Sequence, residues 1–162
     1  MAELEINVSI EQKLKIPLRE SWLQRIAVRT IEAEGIPSTS EMGLVITDSK
    51  TIQKLNKTYR GEDKPTDVLA FHMTPGTSQE PETHFVGPPD GVNHLGEVVI
   101  SYPQAMRQAQ EQGHGITQEL ALLIVHGVLH LLGYDHELPE EEQRMKAREN
   151  EILERLGDVE QC

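Results

Sequence analysis

The chain has 162 residues, 15 Lys and Arg against 27 Asp and Glu, a formal net charge of −12, and one cysteine, Cys162. That length suits one domain with a proper core and is short for two. The charge argues against broad electrostatic binding to nucleic acid or to an anionic membrane, and a lone cysteine excludes an internal disulfide and a cysteine-rich zinc knuckle, which suits a reducing compartment.

The start, Met1-Ala2-Glu3-Leu4-Glu5, lacks the basic and apolar parts of a signal peptide, and no apolar run reaches membrane-spanning length. The sequence therefore predicts a cytoplasmic protein with no membrane partner. Leu4, Ile6, Val8 and Ile10 alternate with polar residues and predict a strand. Leu18 to Glu34 places Trp22, Leu23, Ile26, Ile31 and Ala33 on an amphipathic helix, ended by Gly35 with Pro37 beyond. Gly43 to Thr47 reads as a second strand. Asp48 or Ser49 caps a helix running to about Tyr59. Its apolar stripe is Ile52, Leu55 and Tyr59. Its basic stripe is Lys50, Lys54 and Lys57, with Arg60 and Lys64 just beyond. A solvated lysine face has the same pattern, but in so acidic a chain this cluster is the one obvious place for a polyanion.

Gly61 to Thr66 is a loop, and Asp67 to Phe71 a third strand. Thr74 to Asn93, rich in Pro and Gly, predicts a long loop with a functional role, mobility or both; His84 and His94 fall in or beside it. Leu95 to Ser101 is a fourth strand. Pro103 stands near the start of a polar helix ending at Gly113. Thr117 is the expected cap of the next helix. Pro139 opens a last helix, with Glu140 to Glu142 near its N-terminus and Met145, Ile152, Leu153 and Leu156 as apolar positions before Gly157. With no repeat and no dividing linker, residues 1–162 predict a single α+β domain: roughly four strands in a mixed sheet packed with about five helices.

The stretch Leu120 to His136 organises the rest. It is apolar on every side, the mark of a buried helix. His126 and His130 are four apart and so share one helix face. Gly133 offers a helix-ending position, after which the chain can turn His136 towards the same point. A buried histidine is often just a core residue bonded to a carbonyl, but three converging imidazoles in an apolar setting suit a metal such as zinc, with nickel an alternative. Three protein ligands leave a coordination position open, as in catalytic sites. A zincin protease carries its glutamate base directly after the first histidine; here Gly127 stands there. A helical glycine costs about 1 kcal/mol relative to Ala, which either tight packing or close approach of substrate explains. Without that glutamate, phosphodiester cleavage suits the residues better than peptide hydrolysis. Arg60 is the candidate to hold a phosphate bidentately. Asp135 is the candidate to accept from a ligand imidazole, or else caps the turn.

His126 to His136, reading His-Gly-Val-Leu-His-Leu-Leu-Gly-Tyr-Asp-His, resembles the signature of the YbeY family of bacterial metal-dependent endoribonucleases. Asn56 to Gly61, Pro65 to Phe71, Leu95 to Ser101, Met145, Glu149 and the Ile152 to Gly157 ending match the same family in order and type. The resemblance implies that His126, His130 and His136 hold zinc and that Arg60 serves RNA cleavage. It further implies single-strand-directed cleavage in ribosomal RNA 3′-end maturation, a role in ribosome quality control, and contact with a small-subunit ribosomal protein and an assembly GTPase. Three departures stand out: His72 where the family has Pro, Glu97 where Asp is expected, and a longer Thr74 to Asn93 loop. The competing readings are a zinc hydrolase of peptides and a non-catalytic ribosome assembly factor with a structural metal.

Overall fold

The computed structural model describes residues 4–11, 14–16, 18–36, 39–72, 93–134 and 138–156. In chain order the elements are β1 (Leu4–Ile10), α1 (Glu20–Ala33), β2 (Ser40–Thr47), α2 (Ser49–Arg60), β3 (Val68–His72), β4 (Asn93–Ser101), α3 (Tyr102–Gln112), α4 (Ile116–Leu131) and α5 (Pro139–Arg155). The four strands form one sheet in the order β1-β2-β4-β3. β1 and β4 run parallel to β2, and β3 runs antiparallel to β4. The mixed α+β architecture predicted from the sequence is the one observed.

β4 begins two residues before the expected Leu95. Its extra length pairs with the start of β2, Ser40 with Asn93 and Glu41 with His94, before the register jumps so that Met42 faces Gly96. The jump is a bulge, one residue more on β4 than on β2, and Gly96 takes the φ of +129° there that a side chain would resist.

Alternation along the strands splits the sheet into two unequal faces. Met42, Leu44 and Ile46 of β2 and Val98 and Ile100 of β4 join the main core with Trp22, Leu23, Ile26 and Ile31 of α1 and Leu120, Ile124, Val125, Val128 and Leu129 of α4. The intervening residues turn the other way. Leu69 and Val99 meet Ile52 of α2, with Val45, Leu55 and Phe71 packed around them. Thus α1 and α4 cover one face and α2 the other. In β3 the split falls between neighbours: Val68 packs on the α4 side and Leu69 on the α2 side.

Helix ends follow the local chemistry. Asp48, the first of the two expected caps, accepts from the Thr51 backbone N–H at 2.8 Å. Thr117, by contrast, is not the cap of α4: the helix starts one residue earlier, after Gly115. Its first turn is tied instead by Glu119, buried at 3 % exposure, whose carboxylate lies 2.6 Å from His114 Nε2. Among the described residues no helix is long and apolar enough to cross a membrane.

Candidate active site

α4 is the buried apolar helix the sequence predicts, and it carries His126 and His130 side by side. Their ring centroids are 4.7 Å apart with the planes inclined at 73°, as an i, i+4 pair on one helix face requires. Both residues are only partly buried, in a helix otherwise largely enclosed. The chain then stops helical progress as expected. Gly133 takes φ +107°, its N–H bonds the His130 carbonyl at 3.1 Å, and the Tyr134 N–H bonds the Leu129 carbonyl at 3.0 Å. Those two bonds form a Schellman closure, which reverses the chain immediately before Asp135 and His136. Asp135 and His136 themselves lie outside the described residues.

The carboxylate partner of a candidate ligand comes from another part of the chain. Glu149 of α5 places Oε2 2.5 Å from His126 Nδ1. Glu149 is 7 % exposed, so the carboxylate is withdrawn from water and directed at the imidazole. A carboxylate on one ring nitrogen is the usual support of a metal-binding histidine. Two adjacent imidazoles on one helix face, one of them bonded to a carboxylate, are donors of the kind zinc takes; among the described residues no third donor joins them.

Gly127 has a definite reason to be glycine. A Cβ built there would lie 2.6 Å from Val98 Cγ1, 3.1 Å from Val98 Cγ2 and 3.4 Å from Val68 Cγ2. Of the two readings the sequence allowed, the contact is helix packing: α4 rides directly on β4 and β3 at the residue after His126.

The turn after α4 is held from behind. Tyr134 donates its hydroxyl to Glu34 Oε1 at 2.8 Å. Arg148 bonds Glu34 Oε2 through Nε, the Ala33 carbonyl through Nη2 at 2.5 Å and Glu151 Oε1 through Nη1 at 2.6 Å. These bonds, first of all that to Glu34, hold the guanidinium even more firmly protonated than usual. Burial, followed by the bond to Glu34, raises the Tyr134 phenol above its ordinary range. The end of α1, the turn after α4 and α5 are thereby joined at one point.

Arg60, the last residue of α2, is exposed. It belongs to α2, which packs on the sheet face opposite the one that α4 covers. Lys50, Lys54, Lys57 and Lys64 are also exposed. The first three lie on the side of α2 turned from the sheet, and Lys57 has Asp63 as a weak, solvated partner at 3.8 Å. His94 is bonded to Glu41 at 2.7 Å through Nδ1. Glu97, longer than the expected Asp, is exposed and lies over Gly43, where a Cβ would come within 3.1 Å of its Cγ.

The family model described as Endoribonuclease YbeY matches residues 5–157. The chain belongs to the endoribonuclease YbeY family. A relative from Dehalococcoides mccartyi named Endoribonuclease YbeY is 43 % identical over 159 residues, covering 96 % of this chain and 99 % of its own. A relative of the same name from a Roseiflexus species is 47 % identical over 157 residues, covering 96 % and 95 %, and one from Heliobacterium modesticaldum is 44 % identical over 160, covering 96 % of each. The solution structure of a Thermotoga maritima protein shares the fold, with a TM-score of 0.53 at 23 % identity over 97 % of this chain and 96 % of that one. Membership of this family places the chain among the endoribonucleases.

Proposed function

We propose that the protein is a metal-dependent endoribonuclease specific for single-stranded RNA, acting in the cytoplasm in the 3′-end maturation of ribosomal RNA and in ribosome quality control. In this reading His126, His130 and His136 hold one zinc ion, or nickel in its place, and Arg60 holds the substrate. A small-subunit ribosomal protein and an assembly GTPase are its partners. The observation that supports the metal part is the pair His126–His130, one turn apart on one face of α4, with Glu149 on His126 Nδ1, since metal-binding histidines usually give their other ring nitrogen to such a partner.

The residues divide the work. The metal, when bound, supplies Lewis-acid stabilisation of charge building on the scissile phosphate. Glu149 holds His126 in one orientation and favours the proton on Nδ1, so that no reorganisation is needed at the reacting centre. The Arg60 guanidinium grips phosphate oxygens with paired N–H donors. Asp135 is available to do for a second ligand what Glu149 does for His126. Lys50, Lys54, Lys57 and Lys64 line the path of the backbone with positive charge. Gly127, where a zincin places its glutamate base, separates this site from peptide hydrolysis.

The test incubates metal-loaded protein with single-stranded RNA and, separately, with an unfolded peptide, alongside samples with chelator or with His130→Ala. RNA cleavage that both treatments abolish is the expected result. Intact RNA with cut peptide would end the ribonuclease reading. Normal ribosomal RNA ends in cells carrying only a variant that lacks all three histidines would end the catalytic role of the metal.

A further inference from the structure

α2 packs on the sheet by a stripe that ends in the open. Ile52 is fully buried, Leu55 is partly buried, and Tyr59, two turns beyond Ile52 on the same side, is 66 % exposed. The helix therefore leaves the sheet as it proceeds, and its last apolar position overhangs. Tyr59 is not loose there. Phe71 of β3 meets it edge-on, with ring centroids 5.2 Å apart and planes inclined at 65°, an arrangement favoured by the ring quadrupoles. One aromatic ring is thus propped by another, and most of its surface is left to solvent.

The surroundings state which occupant suits it. α2 contains Lys50, Lys54, Lys57 and Arg60 and no acidic residue, in a chain of net charge −12. Arg60 follows Tyr59 directly, roughly 100° round the helix. An aromatic face beside a guanidinium matches a nucleotide's own layout: a flat base joined to an anionic phosphate. A protein partner would want an apolar ring around the tyrosine to exclude water, whereas charged residues surround it in sequence, Lys57 and Arg60 on the helix and Glu62, Asp63 and Lys64 just beyond.

We propose that Tyr59, braced by Phe71, is the stacking platform for one unpaired base of an RNA strand whose adjoining phosphate is held by Arg60. The inference rests on the RNA reading above and deepens it. A base inside a duplex has no free face for Tyr59, so the platform selects single-stranded substrate. Because every base offers a π-face, the contact carries little sequence preference.

The test uses holoenzyme and a labelled, uncleavable 2′-O-methyl phosphorothioate oligonucleotide, with an abasic oligomer of the same backbone beside it. Binding is read by fluorescence anisotropy for wild type, Tyr59→Leu, Tyr59→Phe and Tyr59→Trp. Tyr59→Leu should bind the base-bearing oligomer about 5- to 150-fold more weakly, the range for loss of one stacked base. Phe and Trp should keep most of the affinity, and the abasic oligomer should not distinguish the four proteins. Tyr59→Leu matching wild type overturns the proposal, as does an equal loss with the abasic oligomer. If sedimentation shows that Tyr59→Leu dissolves a dimer, the face belongs to a second copy and the proposal falls. Failure of wild type to bind either oligomer removes the RNA reading itself, a result distinct from a wild type that binds and a variant that binds equally.

Discussion

Replacing Gly127 by Ala sets two opposed effects against each other on α4. Alanine is the better helix former by about 1 kcal/mol, so an uncrowded position would be stabilised. Position 127 is crowded. The new methyl would sit 2.6 Å from Val98 Cγ1, about 1 Å inside the usual carbon–carbon separation of roughly 3.5–4.0 Å. Val98 cannot swing clear, since it is fully buried in β4 and its other methyl is 3.1 Å from the same point. Overpacking of this kind costs about 1–3 kcal/mol, occasionally more. At so close an approach the cost belongs to the upper part of that range, about 2–3 kcal/mol, and less the propensity gain of about 1 kcal/mol it leaves a net destabilisation of about 1–2 kcal/mol, read as a lower urea midpoint at unchanged m. Val98→Ala alone should cost about 2 kcal/mol for two lost methyls. Combined, the two substitutions should destabilise by about 1–3 kcal/mol less than their sum, because the added methyl fills the space the valine vacates. Relief by lifting α4 from the sheet would also move His126, so Gly127→Ala should bind zinc more weakly and the double variant should recover part of the loss. A Gly127→Ala protein as stable as wild type, or additive with Val98→Ala, would refute the packing argument.

Three further outcomes follow. Glu149→Gln should lower zinc affinity about 10- to 100-fold in competition with a chromophoric chelator; unchanged affinity would show that the carboxylate does not support the ligand. Arg60→Ala should weaken RNA cleavage while leaving bound metal at the wild-type level, and metal loss in that variant would mean that Arg60 does not serve substrate. Burial raises the Tyr102 phenol above its ordinary range, so its contribution is fully present below about pH 10 and is lost as pH rises through the higher folded-state value. Tyr102→Phe should therefore lose less stability than wild type on titration above about pH 10, and parallel alkaline unfolding curves would count against that account.

The order of elements was legible because each had a local signature: period-two alternation in β1, Asp48 as a cap, Gly133 as a stop. The pairing of His126 with His130 was equally local, since four residues make one turn. What escaped was long-range. Nothing near His126 names Glu149, although one signal existed. Met145, Glu149 and Ile152 fall on the buried side of α5, and a carboxylate in an apolar stripe has to be aimed at something. The reason for Gly127 was hidden for the same cause, because Val98 and Val68 approach it only once the sheet forms. Thr117 misled because a residue type that caps well stands inside the first turn here: α4 begins at Ile116, after Gly115, and His114 and Glu119 meet across that turn.

The contact between His126 and Glu149 also imposes an order of assembly. Glu149 comes 23 positions after His126, on the helix that follows the one bearing the histidines. As the chain is synthesised, β1 to α4 can gather while α5 is still enclosed, and His126 then lacks the carboxylate that orients it. A nuclease proposed to act on the RNA of the machine that makes it would thus have the site proposed for its metal only half organised until α5 emerges and docks.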